Sequence, residues 1–132
     1  MLREQFLKRA FEEMCRHTKL KESFLRDNID DLEWNFVCRF QNLSLSFIRE
    51  FQYYMDWREL AQNETIHFTV DFIREFKDKL NWSKMSEREI FWNCDENIIE
   101  FNDKLDFVGL NPYTHKMKEE MLQLIPQKQK YS

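Results

Sequence analysis

The sequence predicts an all-α fold, a short α-solenoid of about four two-helix repeats with a capping helix at each end. Three observations lead there. A pattern of large apolar residues recurs after 23 residues and then twice after 25, within the period range of tandem structural repeats. Inside each copy the apolar positions fall at i, i+1, i+4 and i+8, the spacing of one helix face. One Gly and two Pro in 132 residues leave too few turn residues for a set of β-hairpins.

The repeat is visible column by column. Its first column holds Phe24, Phe47, Phe72 and Asn97, and the next holds Leu25, Ile48, Ile73 and Ile98. Acids follow at Asp27, Glu50, Glu75 and Glu100, then Asn28, Phe51, Phe76 and Phe101, then Leu32, Met55, Leu80 and Leu105. Glu33, Asp56, Asn81 and Asp106 precede an aromatic column of Trp34, Trp57, Trp82 and Phe107. Three residues further lie Val37, Leu60, Met85 and Leu110. The most regular copy is Phe68 to Met85, FTVDFIREFKDKLNWSKM.

Taken in order, residues 1–19 form an N-terminal cap helix. Leu2, Phe6, Leu7, Ala10, Phe11 and Met14 make its apolar stripe, and Glu4–Lys8 and Glu12–Arg16 are i,i+4 ion pairs in the favourable order. Residues 20–110 carry the repeats. Ser44 and Thr69 stand three residues before their Phe, where a hydroxyl starts the first helix of a unit. Asp56, Asn81 and Asp106 cap the second helix, and Ser86-Glu87-Arg88-Glu89 has capping-box spacing that restarts it in the longer third linker. Gly109 and Asn111-Pro112 stop the last unit. Residues 111–126 form a C-terminal cap helix with Tyr113, Met117, Met121, Leu122, Leu124 and Ile125 on its apolar side, and 127–132 are a polar tail. Both end helices suit the covering of apolar solenoid ends.

Length and composition narrow the class. The chain is one domain's worth, and 16% of it is aromatic, including 13 Phe, a large apolar supply for a fold of this size. No apolar run approaches the ~18 residues of a membrane span and no signal-peptide pattern opens the chain. Cys15, Cys38 and Cys94 are odd in number and widely spaced, which suits reduced thiols in an intracellular compartment. Twenty basic and 24 acidic residues give a net charge of −4, and residues 1–66 and 67–132 each hold 10 basic and 12 acidic residues. With no basic face, nucleic acid is not an expected partner; Lys116, Lys118, Lys128 and Lys130 read as a solvated helix face and tail.

The sequence points away from catalysis. It contains no glycine-rich phosphate loop, no HExxH, no GxSxG and no CxxC. Cys15 and His17 lie two apart, so on a helix they face different ways, and zinc ligation would need His67 or Cys94 brought in by folding. His115 reads as a surface residue beside the Pro112 turn. Glu50, Glu75 and Glu100 recur with the architecture and read as a solvated face or as bonds to a neighbouring unit. Trp34, Trp57 and Trp82 read as plugs between consecutive units rather than a ligand-stacking ladder. No catalytic residue, cofactor or metal is expected.

Units of the form LSxxFIREFxDKLNW resemble short helical tandem repeats in uncharacterised proteins of large DNA viruses of amoebae and some large bacteriophages. Leu43-Ser44, Phe47-Ile48-Arg49-Glu50-Phe51 and Phe72-Ile73-Arg74-Glu75-Phe76-Lys77-Asp78-Lys79-Leu80-Asn81-Trp82 carry the likeness, over about two thirds of the chain. The first and fourth units depart from it at Asn28, Asn97 and Phe107. The resemblance implies a viral protein, in the host cytoplasm of an infected cell or in the virion, and brings no reaction with it.

The expected function is a non-catalytic protein–protein interaction module, a scaffold or host-interaction factor that docks another protein on one face. Tyr53, Tyr54 and Trp92 are the expected contact residues, since Tyr and Trp are enriched in interface hot spots; Trp92, off the repeat grid, is the Trp best suited to a contact but reads first as core. The alternative is a self-associating structural protein, a homodimer formed through an aromatic face. The expected partner is a protein or a second copy, not a membrane.

Overall fold

Hydroxyl, carboxyl and amide caps cut this chain into short helices. In the computed structural model, which describes residues 2–106, α1 spans Leu2–His17, α2 Glu22–Asp27, α3 Trp34–Phe40, α4 Leu45–Glu50 and α5 Trp57–Ala61. Then come α6 Val70–Phe76, α7 Trp82–Met85, α8 Glu89–Trp92 and α9 Asp95–Glu100. No strand occurs among the described residues, so the fold is all-α there. The expected cap helix at 111–126, the tail, and Phe107 to Leu110 of the last unit lie outside the described residues.

The expected caps form at four sites. Ser44 accepts the Phe47 N–H at 3.1 Å and Thr69 accepts that of Phe72 at 3.1 Å. Asp56 and Asn81 accept from Glu59 and Lys84, both at 3.2 Å. Each satisfies an orphan donor of a helix N-terminus. Glu33, in the same column, makes no side-chain cap bond to α3. The capping box expected at Ser86 does not form. Ser86 ends α7 instead, 1% exposed, and its hydroxyl accepts the Asp106 N–H at 2.8 Å while donating to the Trp82 carbonyl.

The chain divides into two compact units, Met1–Ile73 and Arg74–Ser132, with the boundary inside α6. Helices of four to seven residues hold little helical free energy in isolation, so packing within each unit stabilises them. In the first unit α1 packs on α3 and α3 on α5. Leu25, Val37, Cys38, Phe47, Ile48, Leu60, Ile66 and Phe72 are at most 2% exposed and form its core. In the second, α8 packs on α9 and the core holds Met85, Phe91, Trp92, Ile98 and Phe101. Trp82 is half-buried there, with its ring centroid 5.5 Å from that of Phe91 and 5.7 Å from that of Phe101.

Buried amides close the helix ends of the first unit. Gln41, 2% exposed, donates through Nε2 to the carbonyls of Cys15 at 2.9 Å and Thr18 at 2.8 Å, at the C-terminal end of α1. Its Oε1 accepts the Leu20 N–H at 2.8 Å. Asn63, fully buried, donates to the carbonyls of Cys38 at 2.8 Å and Gln41 at 2.7 Å, at the end of α3. The carbonyls that a helix leaves orphaned at its C-terminus are met here by a side chain just past the end of the next helix but one, Gln41 after α3 for α1 and Asn63 after α5 for α3.

The apolar stripe expected to seat α1 is turned outward. Leu2 is 72% exposed, Phe6 70%, Leu7 54% and Met14 36%, while Cys15 is buried and Phe11 half-buried. The hold of Gln41 on Cys15 and Thr18 fixes the rotation of α1, and it seats the Phe11 and Cys15 side rather than the longer apolar line. Of the two expected ion pairs, Glu12–Arg16 forms at 2.7 Å, and Lys8 reaches Glu33 at 4.0 Å.

Two outcomes follow for stability. Gln41→Leu or Asn63→Leu strands two carbonyls each and should cost about 2–4 kcal/mol in urea unfolding; a variant that unfolds with the parent would show that the amides are dispensable. The Arg74 guanidinium bonds Glu100 (Nη2 to Oε1 2.8 Å) and holds its carboxyl below the usual carboxylate range. A lowered folded-state pKa contributes stability above the unfolded pKa and loses it as pH falls through the folded value. This pair is largely exposed, so Arg74→Ala should cost roughly 0.2–1 kcal/mol at neutral pH, a difference that shrinks below about pH 4. An equal difference at both pH values would place the effect of Arg74 in packing.

Candidate functional site

The expected contact residues separate into three situations. The chain leaves α4 at Phe51, whose N–H bonds the Phe47 carbonyl at 3.0 Å, and the turn closes with the Tyr54 N–H on the Phe51 carbonyl at 2.9 Å. Phe47 and Met55 anchor the two sides of this turn in the core. Tyr53, at the turn's outer edge, is 87% exposed. Tyr54 is 40% exposed and braced: its hydroxyl donates to Asp30 at 2.9 Å and its ring lies 5.7 Å from that of Trp34. The Asp30 carboxylate favours the protonated phenol and raises the Tyr54 pKa.

Trp92 is a correction. It is 4% exposed, and its indole N–H donates to the Ser86 carbonyl. It lies on α8 in the second unit and cannot touch a partner across a surface it does not reach. On α8, Phe91 and Trp92 both fill the core of the second unit.

The Trp series is half-buried rather than enclosed. Trp34 donates its indole N–H to the Ile29 carbonyl at 3.0 Å, and Trp82 donates to that of Lys77 at 2.7 Å. Each indole pins the turn before its own helix while one face packs inward, so the ring is engaged on both counts.

Two of the repeat's acids form ion pairs. Glu50 accepts from Arg26 at 3.0 Å and Glu100 from Arg74, partners 24 and 26 residues earlier in sequence. Between α1, α3 and α5 lies a cleft of about 290 Å³ lined by Glu12, Arg16, Phe36, Arg39, Phe40 and Glu59 among others. Arg39 reaches Glu59 at 3.6 Å, and the Arg16 guanidinium sits 4.4 Å over the Phe40 ring. Each charge meets its opposite inside the cleft. Among the described residues no buried side-chain polar atom lacks a hydrogen-bond partner.

Two of the three thiols are buried. Burial pushes Cys15 up to about 11 and Cys38 up to about 12. Cys38 donates to the Met55 sulfur at 3.5 Å and accepts the Asp56 N–H at 3.4 Å. His17 points outward to Glu13 at 3.3 Å, away from the buried Cys15. His67 is exposed, and His115 lies outside the described residues. No cluster of three or more His, Cys, Asp or Glu suited to a metal occurs among the described residues.

Sequence reasoning missed that the end of α1 matches the end of α3. The signal was available 23 residues apart, where Phe11, Met14, Cys15, Arg16 and Leu20 align with Trp34, Val37, Cys38, Arg39 and Leu43. The bonds agree with that offset, since carbonyls 15 and 18 go to Gln41 and carbonyls 38 and 41 go to Asn63. Likewise Cys38 and Ser86, each four residues after a Trp, accept the Asp56 and Asp106 N–H groups.

In the native protein at mildly alkaline pH, iodoacetamide should label Cys94, which is half-buried, before Cys15 and Cys38, with all three labelled in denaturant. Fast labelling of Cys38 in the native state would show a thiol activated by something other than its buried setting. No protein-family model matches the chain, and no curated protein or solved structure gives a significant match to it.

Proposed function

We propose that this protein is a non-catalytic protein–protein interaction module, a short α-solenoid of about four two-helix repeats that docks another protein on the face carrying Tyr53. The observation that carries the reading is Tyr53 itself. It is a large aromatic 87% exposed on a turn whose neighbours on both sides are fixed in the core. A rigidly mounted aromatic loses little entropy on contact and presents both apolar area and a hydroxyl, the features of an interface anchor. Tyr54, held by Asp30 and Trp34, extends the same edge at lower exposure.

The solenoid assignment rests on the sequence period and on bonds that recur at that spacing, such as Arg26 to Glu50 and Arg74 to Glu100. The likeness to helical repeats of large DNA viruses supports a scaffold or host-interaction role in an infected cell or virion. Catalysis has weaker support: the charges in the cleft near α1 are paired, and Cys15 and Cys38 are buried and hard to ionise. Self-association is the second reading, and the outward stripe of α1 favours it.

Substitution separates contact from stability. Tyr53→Asp should leave the melting temperature within about 1–2 °C of the parent, as expected of a surface site. It should remove the stoichiometric partner recovered by crosslinking from infected cells with the parent chain. Unchanged recovery would move the docking face elsewhere. A parent chain that turns over a substrate or carries a stoichiometric cofactor would overturn the non-catalytic reading.

A further inference from the structure

An arginine near the end of α2, α4 and α6 reaches the next repeat of the sequence. The Arg26 guanidinium lies 5.6 Å over the Phe47 ring and bonds Glu50 at 3.0 Å. Arg49 lies 6.0 Å over the Phe72 ring, and Arg74 bonds Glu100 at 2.8 Å. The apolar residue before each arginine, Leu25, Ile48 or Ile73, is fully buried. In the earliest repeat the receiving positions are Phe24 and Asp27. Phe24 is 43% exposed, whereas Phe47 and Phe72 are buried. Asp27 is exposed, and among the described residues no ion pair or hydrogen bond engages its carboxylate.

The spacing assigns Arg3 to these two positions. Arg26 stands 21 residues before Phe47 and 24 before Glu50, and Arg3 stands 21 before Phe24 and 24 before Asp27. Leu2-Arg3-Glu4 thus matches Leu25-Arg26-Asp27, Ile48-Arg49-Glu50 and Ile73-Arg74-Glu75. Yet Leu2, in a column otherwise buried, is 72% exposed, and Arg3 is exposed as well. The cause lies at residues 9 and 10. Later repeats turn between their helices on a buried Met55, Leu80 or Leu105, each followed by Asp56, Asn81 or Asp106. Arg9 and Ala10 occupy those two columns. Alanine is a poor N-cap and the strongest helix former, so the turn is not built and α1 runs unbroken from Leu2 to His17. Lys8 reaches Glu33, the residue before α3, at 4.0 Å, so residues 2–7 run on past the start of α3. Arg3 is thereby carried about 10 Å along the helix from Ala10 instead of turning back toward α2.

We infer that residues 2–7 of one molecule seat on α2 of a second, with Arg3 over the Phe24 ring and bonded to the Asp27 carboxylate. A straight α1 cannot deliver Arg3 to the α2 of its own chain, whereas a second molecule can receive it with no break in the helix. Leu2 then enters the column that Leu25, Ile48 and Ile73 fill, and the guanidinium gains both an aromatic face and an opposite charge. Each contact is one that the fold already makes between its own repeats, now made between molecules. Exchange of an identical element in this way is a low-cost route to association, and a reciprocal pair makes the contact twice. The inference rests on the self-association reading and is separate from the docking of a different protein at Tyr53.

Sedimentation of the full chain across a dilution series tests it. The mass should rise above 16.5 kDa as concentration increases. Arg3→Asp and Asp27→Arg each set like charges face to face, and each should weaken association at least about tenfold. An equimolar mixture of the two variants should restore it, because each reversed charge then meets its opposite on the other molecule and the native Arg3 and Asp27 still meet. Leu2→Asp should also weaken association while leaving helical circular dichroism unchanged, since Leu2 is no part of the core. A parent that stays monomeric at every concentration would overturn both this contact and the self-association reading. Association that survives both charge reversals, or a mixture that fails to restore it, would overturn the contact alone and move self-association to another surface. Tyr53→Asp should leave the association intact, so loss of partner docking and loss of self-association are read independently.

Discussion

Everything in the first unit depends on how its helices end. A helix commonly closes with glycine in the left-handed region, which satisfies its last carbonyls locally. No described residue has positive φ, and the single glycine, Gly109, lies outside them. The chain uses side-chain amides instead. Gln41 takes the carbonyls of Cys15 and Thr18, and Asn63 takes those of Cys38 and Gln41. Because each amide comes from beyond the end of the next helix but one, closing α1 also docks α3, and closing α3 also docks α5. The termination of α1, the placement of α3 and the placement of α5 are therefore one problem with one solution. Both amides are almost wholly buried, where an unmet partner is expensive, so the arrangement is strongly specified.

The same economy governs the other buried polar groups. Cys38 and Ser86 differ chemically but sit at one relative position and do one thing, accepting the backbone N–H of Asp56 and Asp106. A thiol suffices there because the role is to receive a donor at a buried turn. This accounts for Cys38 without any redox or metal chemistry, and its raised pKa is a consequence of the burial that the role requires. On the outer side, Arg26 with Glu50 and Arg74 with Glu100 tie one helix to another at the spacing of the sequence period. Exposed pairs of this kind add little free energy and mainly fix register.

The indoles of Trp34 and Trp82 are anchored to their own turns, Trp92 is core, and the carboxylates Glu50 and Glu100 are paired. Among the exposed large hydrophobic residues described, Tyr53 at 87%, Leu2 at 72% and Phe6 at 70% stand furthest out. Tyr53 and α1 lie apart in the first unit's sequence and suit different contacts, one a single projecting aromatic and the other an outward helix face.

The sequence by itself determined the helical character and most helix starts, because those are local. An apolar period and a hydroxyl, carboxyl or amide three residues before a backbone donor need no distant partner, and Ser44, Asp56, Thr69 and Asn81 cap where they were expected. Tertiary structure alone decided which apolar residues are buried. The stripe of α1 read as the seating face, yet rotation of that helix is set by Gln41 more than twenty residues away, so the stripe points to solvent. Trp92 read first as core and second as a contact, and the packing of α8 decides for the core. Ser86 read as a helix start, yet a buried site that accepts the Asp106 N–H claims its hydroxyl. In each case periodicity identified a residue as apolar or bond-forming, while long-range hydrogen bonds and packing chose its partner.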